Sequence, residues 1–386
     1  MLRSLYAGIS GLRSHQTMLD VTGNNIANVN TTGFKASAVQ FRDSLSQLVK
    51  NSTLPQSAAG GSNPAQVGLG VQVAGIGTNF AQGAAQSTGV PTDLMISGDG
   101  FFVVRKGGET LYTRNGAFSF DASARLEGAD GSLVQGWTAV DGVIRPGQGV
   151  GDITLPVGTT LPATATTTAN VTGNLPAETA IGEQLVRDVR VYDAEGASSM
   201  LRLTFTRTGG GWDVADGAGA TASLAFIDGA QTGPASIVSN GIQVDLSAVT
   251  GFSDVSTVAF DTQNGEPAGT LVSYALSDDG SLVGTFSNGK TQVLARVALA
   301  DFVNPGGLEK TGSSQYRPSV NSGQPTVGTA GADGFGGIVS GALEMSNVDL
   351  SQEFTNLIVA QRGFQANARI ITTSDEVLQE LTNLKR

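Results

Sequence analysis

Apolar side chains recur at helical spacing at both ends of the chain and alternate with polar ones between them. Over residues 2–28, Leu2, Leu5, Ile9, Leu12, Leu19 and Ile26 carry the pattern, and four of them, Leu5, Leu12, Leu19 and Ile26, lie seven apart, one stripe of a heptad. Gly8, Gly11 and Gly23 interrupt the stripe. Each costs a helix about 1 kcal/mol relative to Ala, so the segment is expected to be marginal when alone. Over 347–384 the pattern is stronger. Leu350, Leu357, Phe364, Ile371 and Leu378 form an unbroken seven-residue ladder, flanked by Phe354, Ile358, Val377 and Leu381. Asp349 and Ser351 stand where a helix N-cap belongs. The companion positions Gln361, Ala368, Asp375 and Thr382 are small or polar, so the stripe suits a partner helix better than a self-sufficient bundle.

In the middle the period shortens to two. FFVVRK (101–106), LYTRNGAFSF (111–120), VRDVRVY (186–192) and LRLTFTR (201–207) read as strands. LVSYALSDDGSLVGTFS (271–287) reads as a hairpin turning at Asp279-Gly280, and Asn115-Gly116 offers a second turn. The Thr/Ala/Gly-rich, Pro-punctuated run 151–173 and the segment 262–269 read as crossings into and out of an inserted domain. The predicted fold is mainly β with terminal α-helices. Residues 1–30 and 345–386 pair as a coiled coil, 31–68 form a linker or extended segment, 69–149 and 262–344 build a discontinuous β domain, and 150–261 an inserted outer β domain.

Composition supports this picture and removes several chemistries. With 53 Gly and only 14% charged residues in 386, many short strands and tight turns fit better than a helical enzyme. Cys is absent, which removes disulfides, thiolate catalysis and most zinc sites. The single His, His15, lies in the N-terminal helical run with no nucleophile elbow elsewhere, so a helix-contact role is favoured over a catalytic one. Asp278-Asp279-Gly280 and Asp130-Gly131 lack calcium-loop spacing, and GLGVQVAG (68–75) lacks the spacing of a nucleotide-binding glycine loop. No catalytic residue, cofactor or metal is expected. Asn30-Thr31-Thr32 and Asn51-Ser52-Thr53 match the N-glycosylation pattern. The net charge of −11 is uneven, with +3 over residues 1–50, −2 over 344–386 and −12 between them. That distribution argues against nucleic acid or an anionic membrane as partner and lets the two ends meet. No run approaches the length of a membrane span, and the N-terminus lacks the apolar core of a cleaved secretory signal. The expectation is a cytoplasmic chain or one exported without such a signal. The residues alone leave an intramolecular helix pair and self-assembly as equal readings of the terminal stripes.

Between the N-terminal stripe and the β region stands NNIANVNTTGF, Asn24 to Phe34. Asn24, Asn25 and Asn28 favour leaving the helix, Gly33 permits unusual backbone geometry, and Phe34 is placed to anchor the next segment of chain. The longer run LYAGISGLRSHQTMLDVTGNNIANVNTTGFKAS (5–37) resembles the N-terminal signature of bacterial flagellar axial proteins, the rod and hook family. The run GALEMSNVDLSQEFTNLIVAQRGFQANARIITTSDEVLQELTNLKR (341–386) resembles the C-terminal signature of that family. DLMISGDGFFVV (93–104) and YTRNGAFSFD (112–121) are similar to segments shared by hook and distal rod members. Residues 271–312 and the long insert resemble the hook branch.

The resemblance implies a non-enzymatic structural subunit that polymerises into a curved hollow tube, a universal joint between rod and filament. It implies an extracellular place in the flagellum and export through the flagellar type III apparatus. The implied partners are copies of itself, rod proteins at the proximal end, a hook-filament junction protein at the distal end, and a hook cap, with no membrane insertion. Within the family the distal rod protein is the alternative. From a different class, a secreted β-rich adhesin or glycan-active protein with helical oligomerisation ends is the alternative. The helical stripe Leu5, Ile9, Leu12, Leu19, Ile26, Leu350, Phe354, Leu357, Phe364, Ile371 and Leu378 is the expected assembly seam, with Asn24, Asn25, Asn28, Gly33 and Phe34 as the joint.

Overall fold

Helix α1 (Leu2–Ala27) runs without a break through all three of its glycines. This is seen in the computed structural model of the chain, which describes residues 2–383 except 53, 55–59, 141, 146, 148, 157, 159, 234, 254 and 333. The expected interruption does not occur, and the reason is packing against α2 (Leu350–Asn383). Gly8 and Gly11 are buried against that helix, whereas Gly23 is exposed. A Cβ on Gly11 would stand 2.7 Å from Asn367 Oδ1, and one on Gly363 of α2 would stand 2.5 Å from the His15 ring. Glycine here lets two backbones approach, and tertiary packing outweighs its poor helix propensity. His15 is thus half-buried between the helices, its ring 5.8 Å from that of Phe41 in an edge-on arrangement. Asp349 caps α2 as expected, its Oδ1 accepting from the Ser351 and Gln352 backbone N–H groups, while Ser351 sits inside the helix.

The helices are antiparallel in a fixed register. Gly8 faces Ile370, Gly11 faces Asn367, His15 faces Gly363 and Asn25 bonds Glu353, so the facing numbers add to 378 throughout.

The chain divides into two compact units: Met1–Leu155 with Ala275–Val283 and Val293–Arg386, and Pro156–Tyr274 with Gly284–Gln292. In the first unit, α1 leads into a long two-stranded arm. Ser37–Asp43 pairs antiparallel with Val71–Thr78, and Ser46–Lys50 with Ala65–Gly68, so much of the segment expected as a linker is paired strand. Asn51-Ser52-Thr53 lies partly outside the described residues, since Thr53 is not among them. The β body centres on Phe101–Lys106, which pairs with Glu109–Thr113 on one side and with Leu133–Thr138 and the end of Thr291–Asp301 on the other. Its core gathers Phe101, Val103, Tyr112, Trp137, Phe302 and Tyr316. The rings meet edge to face, Tyr112 and Phe302 with centroids 4.8 Å apart, a favoured aromatic geometry.

The hairpin expected at Asp279-Gly280 forms between Gly269–Leu276 and Ser281–Phe286. The chain also bends at Asn115-Gly116, but its flanking strands do not pair with each other. Glu109–Thr113 pairs with Phe101–Lys106 and Gln315–Arg317, and Phe118–Phe120 pairs with Leu126–Gly128. Gly116 is instead a point of close approach, where a Cβ would stand 1.7 Å from the Leu94 carbonyl oxygen.

The second unit has two four-stranded sheets. One is the antiparallel run Gln184–Tyr192, Ser198–Thr208, Gly211–Ala215 and Thr221–Leu224. The other orders Ser236–Ser239, Ile242–Thr250, Thr168–Asn174 and Ala259–Gln263, with its central pair parallel. Parallel neighbours need a crossover, and the whole first sheet lies between them in sequence. Alternation is clear in Ser198–Thr208, where Leu201, Leu203 and Phe205 are buried. They share one core with Trp212, Val244 and Leu246.

Two glycine replacements separate propensity from approach. Gly23→Ala, in open space, is expected to stabilise the helix pair by about 0.5–1 kcal/mol. Gly363→Ala, at the His15 ring, is expected to destabilise it by about 1–3 kcal/mol through overpacking. Urea unfolding followed by helical circular dichroism reads both, and shifts of the same sign would contradict the close-approach account.

Candidate assembly site

The two ends of the chain meet at a knot of buried polar groups where α1 hands over to the arm. Asn28 closes α1, its backbone N–H and its Nδ2 both donating to the Asn24 carbonyl at 3.2 and 2.9 Å. Asn25 is buried. Its Nδ2 donates to the Ser37 carbonyl at 2.8 Å and to Glu353 Oε1 at 3.1 Å, and its Oδ1 accepts from Ser37 N–H at 3.0 Å. One amide therefore links α1, the arm and the first turn of α2. Gly33 has φ +67°, and a Cβ there would stand 2.5 Å from the Asn115 backbone nitrogen. Its N–H donates to the Glu344 carbonyl at 2.8 Å. Only glycine meets both demands. The half-buried Phe34 ring lies 5.2 Å below the Lys310 ammonium, a cation–π contact. Lys310 also donates to the Lys35 carbonyl and to Ser37 Oγ.

At the centre Lys35 and Glu344 are wholly excluded from water, with Nζ 2.6 Å from Oε1. Lys35 Nζ also donates to the Ala81 carbonyl, and Glu344 Oε1 accepts from Gly83 N–H. Arg114, itself buried, stands 3.5 Å from Glu344 Oε2, donates to the Gly98 carbonyl and lies 5.2 Å from the Phe101 ring centroid. Desolvation holds the Lys35 ammonium below its ordinary range, and the Glu344 carboxylate opposes that shift. Asn347 completes the knot. Its Oδ1 accepts from Ala36 N–H, and its Nδ2 donates to the Asn79 and Ala81 carbonyls.

Asn25, Asn28, Gly33 and Phe34 lie at or beside this knot, whereas Asn24 is exposed. Lys35, Arg114, Glu344 and Asn347 belong to the same site, although the apolar patterning gave no reason to single them out. The signal was position: Lys35 directly follows the NNIANVNTTGF string, and Glu344 and Asn347 open the C-terminal signature.

The helical stripe divides into two groups. Leu5, Ile9, Leu12, Leu19 and Ile26 of α1, with Leu357, Phe364 and Ile371 of α2, are half-buried. Leu350, Phe354 and Leu378 are exposed. The seven-residue ladder of α2 therefore faces α1 only in its middle. A cleft of about 430 Å³ beside the joint is lined by Asn28, Thr31, Phe34, Lys310, Ser314 and Tyr316, among others. Among the described residues no group of three or more His, Asp or Glu side chains is placed to hold a metal. No helix among them is long and apolar enough to cross a membrane.

Removing one partner of a buried ion pair leaves an uncompensated charge. Glu344→Leu, which strands the Lys35 and Arg114 cations together, is expected to cost about 3–5 kcal/mol, and Lys35→Met, which leaves Glu344 beside Arg114, to cost less. Urea unfolding monitored by helical circular dichroism checks it, and a Glu344→Leu chain as stable as the parent would contradict the assignment.

Three family descriptions match the chain. Residues 5–35 match "Flagella basal body rod protein", 95–174 match "Flagellar hook protein FlgE/F/G D1 domain", and 339–384 match "Flagellar basal body rod FlgEFG protein C-terminal". The first and last enclose the two halves of the joint. The flagellar hook protein FlgE of Borreliella burgdorferi is 40% identical over the full length of both chains. That of Treponema pallidum is 36% identical, again over the whole of both. The flagellar basal-body rod protein FlgG of Bacillus subtilis is 34% identical over the whole of both. On these end-to-end matches, the chain belongs to the flagellar hook protein family.

Proposed function

We propose that this chain is the repeating subunit of a curved, hollow flagellar hook, a universal joint that passes motor torque from rod to filament. The observation that carries the reading is the half-covered seam of α2. Its middle packs on α1 while Leu350, Phe354, Ile358 and Leu378 remain in water. Each large apolar side chain that becomes fully buried stabilises the assembly by about 1.5–3 kcal/mol. Helices from neighbouring copies complete the seam and line a central channel, and residues 1–30 and 345–386 form this inner layer. The β body, 69–149 with 262–344, and the insert, 150–261, supply the outer contacts.

A bent tube that rotates must shorten its inner side and lengthen its outer side at every turn. Outer contacts that slide in this way must be polar and wet rather than large and apolar. The acidic, Thr/Ser/Gly-rich insert suits them. Partners beyond the copies themselves are rod proteins at one end, the junction protein at the other, and the cap during growth. Export is by the flagellar type III route.

Negative-stain microscopy of the purified full-length chain is expected to show tubes with a central channel, and the absence of any polymer would overturn the reading. Phe364→Asp/Ile371→Asp is expected to abolish polymerisation in light scattering and to lower helical circular dichroism. Unimpaired polymerisation by that variant would remove the terminal helices from the mechanism.

A further inference from the structure

Asn-Gly occurs four times in the chain, at 115–116, 240–241, 264–265 and 288–289. The dipeptide is chemically labile, because glycine has no Cβ to obstruct attack by its own nitrogen on the preceding side-chain carbonyl. Attack requires an amide free to turn, a glycine N–H not committed elsewhere, and room for a ring to close. The fold withholds at least one of these at three of the four pairs. Asn115 Oδ1 accepts from Thr32 Oγ1 and from the Ala117 N–H at 3.0 and 3.1 Å, and Gly116 is buried against the Leu94 carbonyl. Asn264 Oδ1 accepts from the Thr167 and Thr168 N–H groups, its Nδ2 donates to Thr167 Oγ1, and the Gly265 N–H donates to Gln263 Oε1. Asn288 Oδ1 accepts from the Lys290 N–H, its Nδ2 donates to the Pro267 carbonyl, and the Gly289 N–H donates to the Phe286 carbonyl.

The fourth pair differs on every count. Asn240 and Gly241 form the two-residue turn between Ser236–Ser239 and Ile242–Thr250, with φ +48° and +81°, the turn geometry that Asn-Gly favours. Both residues are exposed. Neither the Asn240 amide nor the Gly241 N–H is hydrogen-bonded to another described residue, and the space around Gly241 is open.

We propose that Asn240 is a site of spontaneous deamidation, converted ahead of the other three Asn-Gly pairs because the fold leaves it alone unprotected. The Gly241 nitrogen gives up its proton and bonds to Asn240 Cγ. The Cγ–Nδ2 bond breaks, ammonia leaves, and a succinimide remains. Water opens the ring at either carbonyl, giving aspartate or isoaspartate. No reagent besides water is consumed, and the step quickens as pH rises because the attacking nitrogen must lose its proton. Either product puts a carboxylate where a neutral amide stood. That charge arises next to Ser239, whose hydroxyl donates to the Asp216 carboxylate, so two like charges are brought near each other. The isoaspartate product also lengthens the main chain within a two-residue turn. Ser236–Ser239 is an edge strand with Ile242–Thr250 as its neighbour in the sheet, so the loosening that follows stays local to this hairpin. The inference stands whether or not the chain builds a hook.

The full-length chain is aged in mildly alkaline buffer, folded and in parallel in urea, and fragmentation mass spectrometry locates each deamidated position. Conversion in the folded chain is expected to be several-fold faster at Asn240 than at Asn115, Asn264 or Asn288, and comparable at all four in urea. Faster conversion at any of the other three in the folded chain would overturn the inference. So would an Asn240 that stays intact in the folded chain while the unfolded chain converts, or an equal lead for Asn240 in urea, which would remove the fold as the cause. Asn240→Asp carries the new charge from the start and is expected to speed amide exchange across Ser236–Ser239. Exchange matching the parent would overturn the stated effect on the hairpin.

Discussion

Lys35 and Glu344 are 309 residues apart in sequence, and their buried contact is the constraint on which the first unit depends. Two charges removed from water cost several kcal/mol each unless they find one another and satisfy their remaining hydrogen-bonding capacity. Here the chain meets most of that demand with groups from four segments: the Ala81 carbonyl, the Gly83 N–H, Arg114, and the Gly33–Glu344 backbone bond, while Glu344 Oε2 and Arg114 Nε keep no hydrogen-bond partner. The knot therefore forms as a whole, because a partial version strands a charge. Its closure fixes where α1 ends, where the arm begins and where α2 starts. Asn25 and Asn347 carry the same linkage from the knot to the arm and to the first turn of α2.

From that fixed end the helices run out in a register set by small residues. Gly8, Gly11 and Gly363 let Asn367 and His15 come close, so the pair approaches more tightly than a leucine-lined seam would. Close approach leaves little apolar area between the two helices, and much of what α2 carries remains outside. A helix pair built this way holds its direction through the joint rather than through a large core of its own. That arrangement suits a subunit whose helices are completed by neighbours, and it explains why the seven-residue ladder is longer than the partner it meets.

The sequence showed the class of structure but not its join. Helical spacing at 350–378 and alternation at 201–207 were legible because one face of each element is buried, which writes a period into the residues. The α1 glycines misled, since propensity is a local quantity and their role is set by residues more than 350 positions away. Gly116 misled in a related way: Asn-Gly favours a hairpin turn, yet here it marks where the chain crosses Leu94. Lys35 and Glu344 carry no periodic signal, because a buried charge pair looks in sequence like two solvated residues. Only their position in the two terminal signatures, at opposite ends of the chain, pointed to them.

On the proposed assembly one property of α2 must differ between the free chain and the tube: its middle is covered within the subunit, and its two ends become covered only by other copies. Amide hydrogen exchange across Leu350–Asn383, compared between monomer and assembled tube, tests that difference most directly. The expected result is that 357–371 is already protected in the monomer, and that 350–358 and 377–383 gain the largest protection on assembly. Equal protection of 377–383 in both states, or loss of the monomer's protected middle, would contradict it.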